Sequence, residues 1–283
     1  MKQAVLQAIF DPEPRLPLVM GIMNLDPNSF YKASIPIHEK DALDKIEKWI
    51  QSGMSILDIG AFTSRPGSKI PKSDDELRTL LPCLKAISKE FPELVVSIDT
   101  VHSDTAKACI ESGAEIINDI SGGLMDPKMA EIISQDQKIL VLMHMRGSPE
   151  NMQSKENINY ENILTEIIDY FINRVETLRK KAVTKIIIDP GFGFSKTLTD
   201  NYKILSNLSL FKILDAPLMV GLSRKSMFWK IEQTSAEQVL PATLTANTFA
   251  ILNGCRIIRV HDVDEHMQSI RVIQNCQNEL RQI

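Results

Sequence analysis

The chain has 283 residues, 43% of them hydrophobic and 24% charged, which is an ordinary composition for a soluble globular protein. A formal net charge of −4 provides no basic surface for nucleic acid or anionic lipid, so we expect neither kind of partner. The amino terminus MKQAVLQAIFDPEP is too short and too polar for a secretory signal, and no apolar run approaches the length of a membrane span.

Eight short aliphatic runs, each ending on a polar or charged residue, alternate with segments of helical length. In chain order they are LVMGIMN (18–24), ILDIG (56–60), LVVSID (94–99), EIIND (115–119), ILVLMH (139–144), KIIIDP (185–190), LMVGLSRK (218–225) and RIIRVH (256–261). Continuous Val, Ile and Leu runs are typical of parallel strands covered by helices. Eight strand–helix units predict an α/β fold, a (β/α)8 TIM barrel, in which the carboxyl ends of the strands carry the chemistry.

The segments between the runs predict helices over about 39–52, 74–90, 103–112, 127–135, 157–181, 199–213, 234–253 and 264–279. Two polar pairs, Ser103-Asp104 and Thr199-Asp200, are interpreted as amino-terminal caps. Residues 1–17, which include three prolines, predict a short hairpin or irregular N-terminal arm beneath the barrel. Because no linker or shift in composition divides the chain, we expect a single domain over residues 1–283.

The four cysteines are far apart in the sequence and form no C-x-x-C pair: Cys83, Cys109, Cys255 and Cys276. This spacing favours reduced thiols in a cytoplasmic protein. The five histidines lack the spacing of metal ligands, so a His-rich zinc site is not expected. No G-x-S-x-G or comparable nucleophile motif is present either.

Polar side chains at the strand ends, and in the long loops 26–38 and 61–73, are the candidates for chemistry. They are Asn24, Ser64, Arg65, Asp99, Asn118, Asp189, Lys225, Arg259 and His261. The acidic and carboxamide members can present donors and acceptors to a flat heterocycle with amide-like and amino edges. Arg259 and His261 are two residues apart in one strand, so with Asn24 on the neighbouring first strand they predict an anion pocket.

Several of these residues also have ordinary structural interpretations. Asp99 alone could cap the helix that begins near Ser103, and Asn118-Asp119 could be a turn pair. The GFGF stretch (191–194) indicates either a close backbone approach to a ligand or, more commonly, a turn. His144 could be a polar strand end without a role.

Eight segments, in order and in spacing, resemble the dihydropteroate synthases, a family of folate-pathway enzymes. The segments are GIMNLDPNSF (21–30), DIGAFTSRPGS (58–68), SIDT (97–100), INDISGG (117–123), LMHMRGSPENMQ (142–153), IIIDPGFGF (186–194), GLSRKS (221–226) and RVHDV (259–263). The resemblance implies a TIM barrel, in agreement with the fold predicted from the strand rhythm. It also implies condensation of 6-hydroxymethyl-7,8-dihydropterin pyrophosphate with 4-aminobenzoate, with Mg²⁺ assistance, by an enzyme that is commonly a homodimer.

The resemblance further implies a role for each matching residue. The pterin pocket would comprise Asp99, Asn118, Met143, Asp189, Gly221 and Lys225. The pyrophosphate site would comprise Asn24, Ser64, Arg259 and His261, with Asn24 also binding the metal. The surroundings of 4-aminobenzoate would comprise Phe30, Arg65, Pro66, Phe194 and Ser226. The residues expected to carry catalysis are Asn24, Asp99, Lys225, Arg259 and His261.

Two loops depart from the family pattern. In the first loop Asp26, Asn28 and Lys32 stand where the family usually has Thr, Asp and a second Asp. In the second loop Phe62 replaces the usual Glu, and Ser64 replaces Thr. The changes at Asp26, Asn28, Lys32 and Phe62 concern loop closure and the affinity for aminobenzoate or sulfonamide, and they leave the pterin and pyrophosphate pockets intact.

Two other functions are compatible with a pterin-binding barrel. A module that presents methyltetrahydrofolate to a corrinoid partner would share Asp99, Asn118 and Asp189. Such a module has no need for Lys225 or Arg259, which counts against it. A non-catalytic pterin-binding homologue is suggested only by the altered first loop.

Overall fold

Eight parallel strands form a barrel in this computed structural model, which describes residues 1–12, 16–25, 39–63 and 65–280. The strands are β1 Leu18–Asn24, β2 Ile56–Gly60, β3 Val95–Asp99, β4 Ile116–Asp119, β5 Ile139–Met143, β6 Ile186–Asp189, β7 Met219–Val220 and β8 Ile257–Val260. Their order in the sheet is β6-β5-β4-β3-β2-β1-β8-β7. A parallel bridge between Ile188 and Leu218 joins the two ends of the sheet. The TIM-barrel prediction is therefore confirmed.

Helices lie between successive strands, as the rhythm predicts. They are α1 Lys2–Ile9, α2 Glu39–Ser52, α3 Ser73–Glu90, α4 Ser103–Glu111, α5 Met129–Gln135, α6 Ile163–Lys180, α7 Leu198–Ser206, α8 Ser226–Trp229, α9 Leu240–Leu252 and α10 Val263–Leu280, with a 3-10 helix over Leu208–Leu214. The predicted helix 199–213 is thus two elements. The helices predicted from 157 and 234 begin later, at Ile163 and Leu240, and the short α8 was not predicted.

Both predicted amino-terminal caps are wrong in detail. The cap of α7 is Thr197, whose side chain accepts from the backbone of Asp200 while the Asp200 carboxylate accepts from the backbone of Thr197. This reciprocal box satisfies two otherwise unpaired backbone donors, and it lies two residues earlier than predicted. Helix α4 is preceded by His102, and the backbone N–H of Ser103 donates to Asp126 Oδ2 at 2.8 Å.

The amino-terminal arm is a helix rather than a hairpin. Helix α1 carries Val5, Leu6 and Ile9, which pack on an apolar cluster at the amino ends of the strands. Ile9 is buried. The arm therefore covers the underside of the barrel as predicted, because this apolar helix face closes the barrel floor.

Alternation of side chains along the strands places polar residues in the interior, above that floor. The apolar floor contains Met20, Ile56, Val95, Ile116, Ile139, Ile187, Met219 and Ile257. Since successive strand residues point to opposite faces, positions two and four further along face the same interior. Among those positions are Asn24, Asp58, Asp99, Asn118, Met143, Asp189, Arg259 and His261. Among the described residues, no helix is both long and apolar enough to cross a membrane.

Candidate active site

Arg259 connects three strands at the centre of the barrel mouth. From β8 its Nε donates to Asp58 Oδ2 on β2 at 2.7 Å, and its Nη2 donates to Asp99 Oδ2 on β3 at 3.0 Å. The side-chain amide of Asn118 donates to the same Asp58 oxygen at 3.3 Å. The Arg259 side chain is about one-fifth exposed, whereas Asp58 is fully buried. The guanidinium is therefore held from below and remains accessible to a ligand in the mouth.

Asp99 is the most perturbed acid of this network. Burial raises the pKa of Asp99 to about 7, against the opposing effect of Arg259 and with further repulsion from Asp58 and Glu76. One of its oxygens, Oδ1, is buried and has no hydrogen-bond partner among the described residues. A buried acceptor without a partner is costly, so it is available for a donor on a bound molecule. The alternative of Asp99 as a helix cap is wrong, since Asp126 binds the first turn of α4.

Asn118 and Asp119 have different roles in the structure. Asp119 makes the turn, because its carboxylate accepts from the backbone N–H groups of Ser121 at 2.7 Å and Gly123 at 2.9 Å. Asn118 instead faces the interior and joins Asp58. The turn interpretation therefore holds for Asp119 only.

Asp189 and Lys225 lie on the opposite side of the mouth. Asp189 Oδ1 accepts from the backbone N–H of Gly191 at 2.8 Å. Burial raises the pKa of Asp189, and this backbone bond and then Lys225 and Arg259 oppose the rise. Burial lowers the pKa of Lys225 to about 8, with Asp189 as the main opposing charge. The ammonium of Lys225 lies 4.5 Å from the ring centroid of Phe194, within cation–π range.

The GFGF stretch is a turn. Gly191 has φ of +71°, and a Cβ at this position would collide with the carbonyl oxygen of His144. The close backbone approach is thus between two parts of the protein, the end of β5 and the loop after β6. Only glycine satisfies both the left-handed conformation and the contact.

Cations surround His261 at the seam between β8 and β1. Burial holds the pKa of His261 well below its usual value, and the charges of Arg259, Arg224, Lys45 and Lys225 lower it further. Arg224 is bound to Asp262 through two hydrogen bonds of 2.8 and 2.7 Å. Asn24 ends the adjacent β1, in register with Gly60 of β2. The structure therefore brings the predicted Asn24, Arg259 and His261 to neighbouring strand ends in positive surroundings, which suits an anion.

An apolar cluster covers part of the mouth. Its buried members are Phe62, Val101, Ile120, Met143, Met145, Met152 and Phe194. Met143, predicted for the pterin pocket, and Phe194, predicted for the aminobenzoate site, thus belong to one surface. Phe62, the residue that departs from the family pattern, is buried in it.

The remaining predicted residues are less closely tied to this centre. Arg65 and Pro66 are exposed, in a loop whose Gly67 N–H donates to the carbonyl of Pro149 at 2.9 Å. Ser226 is the half-buried first residue of α8, and Gly221 directly follows β7. Phe30 and Ser64 lie outside the described residues, as do Asp26, Asn28 and Lys32.

Sequence reasoning missed two residues of the site. The sequence could have indicated Asp58, because it is a charged residue at an inward position of the run ILDIG. Nothing in the sequence indicates Lys196, since it follows the GFGF turn as an ordinary loop lysine. In the structure Lys196 is buried and its Nζ lies 3.0 Å from Nδ1 of His144, a residue for which the sequence suggested no role.

A metal site built wholly from protein is not found in the part of the chain that the structure describes. There, no group of three His, Cys, Asp or Glu residues is arranged to hold a metal ion. Mg²⁺ usually keeps several waters and takes one or two protein oxygens together with substrate phosphates. The amide oxygen of Asn24, beside the positive seam, is chemically suited to that mode of binding.

Buried carboxylates, a carboxamide and cations converge on the apolar-walled mouth of this (β/α)8 barrel, and such groups are chemically suited to a polar, flat ligand together with an anion. A family model described as "Pterin binding enzyme" matches residues 20–261, so the class is that of pterin-binding enzymes. Within it, the chain belongs to the dihydropteroate synthase family, the enzymes of folate biosynthesis.

Individual relatives support this placement. The dihydropteroate synthase of Escherichia coli (strain K12) is 35% identical over 260 residues, 91% of each chain. The bifunctional dihydropteroate synthase/dihydropteroate reductase of Helicobacter pylori is 36% identical over 94% of this chain and 70% of that protein.

Solved structures agree with the sequence relatives. The Yersinia pestis dihydropteroate synthase with a sulfonamide drug complex has a TM-score of 0.87 at 31% identity, over 93% of this chain and 95% of that chain. The Xanthomonas albilineans dihydropteroate synthase with 4-aminobenzoic acid has a TM-score of 0.83 at 28% identity, over 93% of both chains.

Proposed function

We propose that the chain condenses 6-hydroxymethyl-7,8-dihydropterin pyrophosphate with 4-aminobenzoate, giving 7,8-dihydropteroate and pyrophosphate. The observation that carries the proposal is the division of one mouth into two parts. Buried carboxylates with acceptor capacity lie beside an apolar wall, and a cationic seam lies next to them. The first part suits a flat ring with N–H groups, and the second suits a leaving pyrophosphate.

The pterin is assigned to the acidic part. A carboxylate such as Asp189 can accept two adjacent N–H donors of the amino-pyrimidinone edge. Asp99 offers its unpartnered Oδ1, and Asn118 can both donate and accept. Met143 and Phe194 supply the apolar surface on which the ring would lie.

The chemical step is a displacement at the methylene carbon of the pterin substrate. The amine nitrogen of 4-aminobenzoate forms the new C–N bond, the C–O bond to pyrophosphate breaks, and the nitrogen releases one proton. The aryl amine is neutral at pH 7, so no strong base is needed. Catalysis depends instead on stabilising the charge that develops on the departing pyrophosphate.

We assign to Arg259, His261 and Asn24 the role of stabilising the charge on the departing pyrophosphate. Arg259 is preorganised by Asp58 and Asp99, so it does not have to reorient during the reaction. A bound Mg²⁺ would neutralise phosphate charge, with the Asn24 amide oxygen as its protein ligand. Ser64 is proposed for the same site, and Phe30, Arg65, Pro66 and Ser226 for the aminobenzoate.

Release of pyrophosphate tests the function directly. We expect release by the purified chain to require the pterin substrate, 4-aminobenzoate and Mg²⁺ together, and dihydropteroate to appear in equal amount. Pterin binding without aminobenzoate-dependent release would leave the non-catalytic alternative. Methyl transfer from methyltetrahydrofolate to a corrinoid would favour the other module.

We further infer a homodimer, supported by an exposed apolar surface on α9 and the adjacent 3-10 helix. Helix α9, LPATLTANTFAIL, contains no charged residue. Four exposed side chains lie on these two elements: Leu210, Ile213, Phe249 and Leu252. Apolar patches of this kind mark interaction surfaces. We expect Leu252→Glu to shift the chain from dimer to monomer in sedimentation, whereas Val272→Glu, on the exposed face of α10, should leave it dimeric.

A cytoplasmic location is also proposed. Support comes from the cysteines, all four of which are free thiols, two of them buried. Thiols persist in reducing compartments. Fractionation of the source cells would test this.

A further inference from the structure

Lys196 is a buried cation that the proposed chemistry does not use. It lies in the loop after β6 and is only 3% exposed. Its Nζ lies 2.9 Å from the carbonyl oxygen of Phe194, 3.2 Å from the carbonyl oxygen of His144 and 3.0 Å from His144 Nδ1. An ammonium group has three N–H donors. The acceptors for all three donors therefore lie in the loop after β6 and at the end of β5.

His144 is held in the state that accepts this bond. Burial keeps the pKa of His144 well below its usual value, and the charges of Lys196 and Arg146 lower it further. The ring is therefore neutral at pH 7, so its Nδ1 can accept while Nε2 carries the proton. The edge of the ring contacts Tyr170, with centroids 4.9 Å apart, and the Tyr170 hydroxyl donates to the carbonyl of Met143 at 3.1 Å.

These contacts connect Lys196 to residues proposed to bind the pterin. The backbone N–H of His144 donates to the carbonyl of Asp189 at 3.0 Å, so β5 and β6 are joined at this level. Met143 directly precedes His144, and Phe194 accepts from Lys196. A side chain that fixes His144 and Phe194 thereby fixes the acidic and the apolar walls of the mouth relative to each other.

Lys196 is also a charge partner of Asp189. Burial lowers the pKa of Lys196 to about 7, and Asp189 is the largest charge that opposes this effect. The cations that favour ionised Asp189 are, in decreasing effect, Lys225, Arg259 and Lys196. The other charges facing Lys196 are Lys225, Asp200 of α7 and Arg146 of the loop after β5.

We propose that Lys196 is a positioning residue for pterin binding: its ammonium group joins the end of β5 to the loop after β6 and so holds in place the walls that carry Asp189, Met143 and Phe194. The inference rests on the proposed function, because it acts through Asp189 as a ligand of the pterin. Because three N–H donors are available only while Lys196 is protonated, its effect on pterin binding should depend on pH, whereas the effect of an uncharged packing residue would not.

The test is the affinity for 7,8-dihydropterin between pH 5 and pH 9, measured by calorimetry. We expect Lys196→Met to bind about tenfold more weakly than the wild type near pH 6, a loss of the size expected when a group that orients binding residues is removed. The difference in affinity between the wild type and Lys196→Met should become smaller above pH 8, where Lys196 of the wild type has lost its own proton.

Two further variants make the result decisive. Lys196→Gln has a shorter side chain with two N–H donors and cannot serve all three acceptors, so it should also bind more weakly near pH 6 and provides the test if Lys196→Met does not fold. Lys185→Met is the matched control, since Lys185 donates to the carbonyl of Gln137 at 3.1 Å on the exposed surface. Equal affinities for Lys196→Gln and Lys185→Met, or a weakening that is the same at every pH, would overturn the proposal. Failure of the wild type to bind dihydropterin would instead contradict the proposed function.

Discussion

Arg259 and Asp58 meet at a single oxygen atom. Nε and Nη2 of Arg259 lie 2.7 and 2.6 Å from Oδ2 of Asp58, which is fully buried two strands away on β2. A guanidinium does not lose its proton in proteins, so Arg259 remains charged. The two contacts with Asp58 fix its position. The same Nη2 also donates to Asp99 Oδ2 at 3.0 Å, so one nitrogen bridges the carboxylates of β2 and β3.

Asp58→Asn should lower turnover although Asp58 touches no substrate in the proposed mechanism. The amide is nearly the same size but lacks the charge, and hydrogen bonds to charged groups contribute about 1.5–3 kcal/mol. We expect kcat to fall by about 10- to 100-fold, as measured by pyrophosphate release with folding checked by circular dichroism. The control is Asp169→Asn on the exposed face of α6. An unchanged kcat would mean that Arg259 is positioned without Asp58.

Arg259→Ala should lower kcat more than Asp58→Asn does. We expect a fall of about 10²–10³-fold at saturating substrates, by analogy with the loss of a single oxyanion donor. The loss arises because the developing charge on pyrophosphate has lost its main cation. Arg271→Ala, on the exposed side of α10, should behave as the wild type in the same assay. Near-normal turnover of the Arg259 variant would contradict the assignment of the leaving-group site.

Asp99→Asn should gain stability relative to the wild type as pH rises from 4 to 7, while it impairs the enzyme. Burial raises the pKa of Asp99 from 3.8 to about 7, so between these values the folded state holds a proton that the unfolded chain has released. Wild-type stability therefore falls as pH rises through this window, and Asn avoids that loss. The difference in melting temperature between variant and wild type should grow from pH 4 to pH 7 and then level off. A difference in melting temperature that is constant with pH would refute the raised pKa of Asp99.

Arg224→Met should destabilise the fold by about 3–5 kcal/mol, because it leaves Asp262 buried without its cation. Both side chains of this pair are less than one-tenth exposed, and Arg224 also donates to the carbonyls of Ala236 and Glu237. Chemical denaturation gives the free energy of unfolding. Glu176→Gln provides the comparison, since its exposed pair with Lys180 should contribute about 0–1 kcal/mol. Equal losses in the two variants would show that burial of the Arg224 pair has no added effect.

The strands were predicted correctly where an aliphatic run in the sequence is also buried in the sheet along its whole length. Runs such as ILDIG and KIIIDP are strands to within a residue, because a parallel sheet covered by helices on its outer face and packed inside the barrel accepts adjacent aliphatic residues. The run 218–225 is a strand only at Met219–Val220. Its later residues leave the sheet, with Arg224 at φ of +55°, to bind Asp262. Nothing near Arg224 in the sequence indicates a partner 38 residues away.

The sequence by itself determined the barrel and the residue types at its mouth. Alternation with a period of two decides which strand residues face inward, and that rule is local. The three-dimensional structure alone decided the partners. It assigned Arg259 to Asp58 and Asp99, and Lys196 to His144, and it divided Asn118 and Asp119 between the site and a turn. Hydrogen bonds and charges act over a few ångströms, so their pairing depends on how strands distant in sequence come together in the closed barrel.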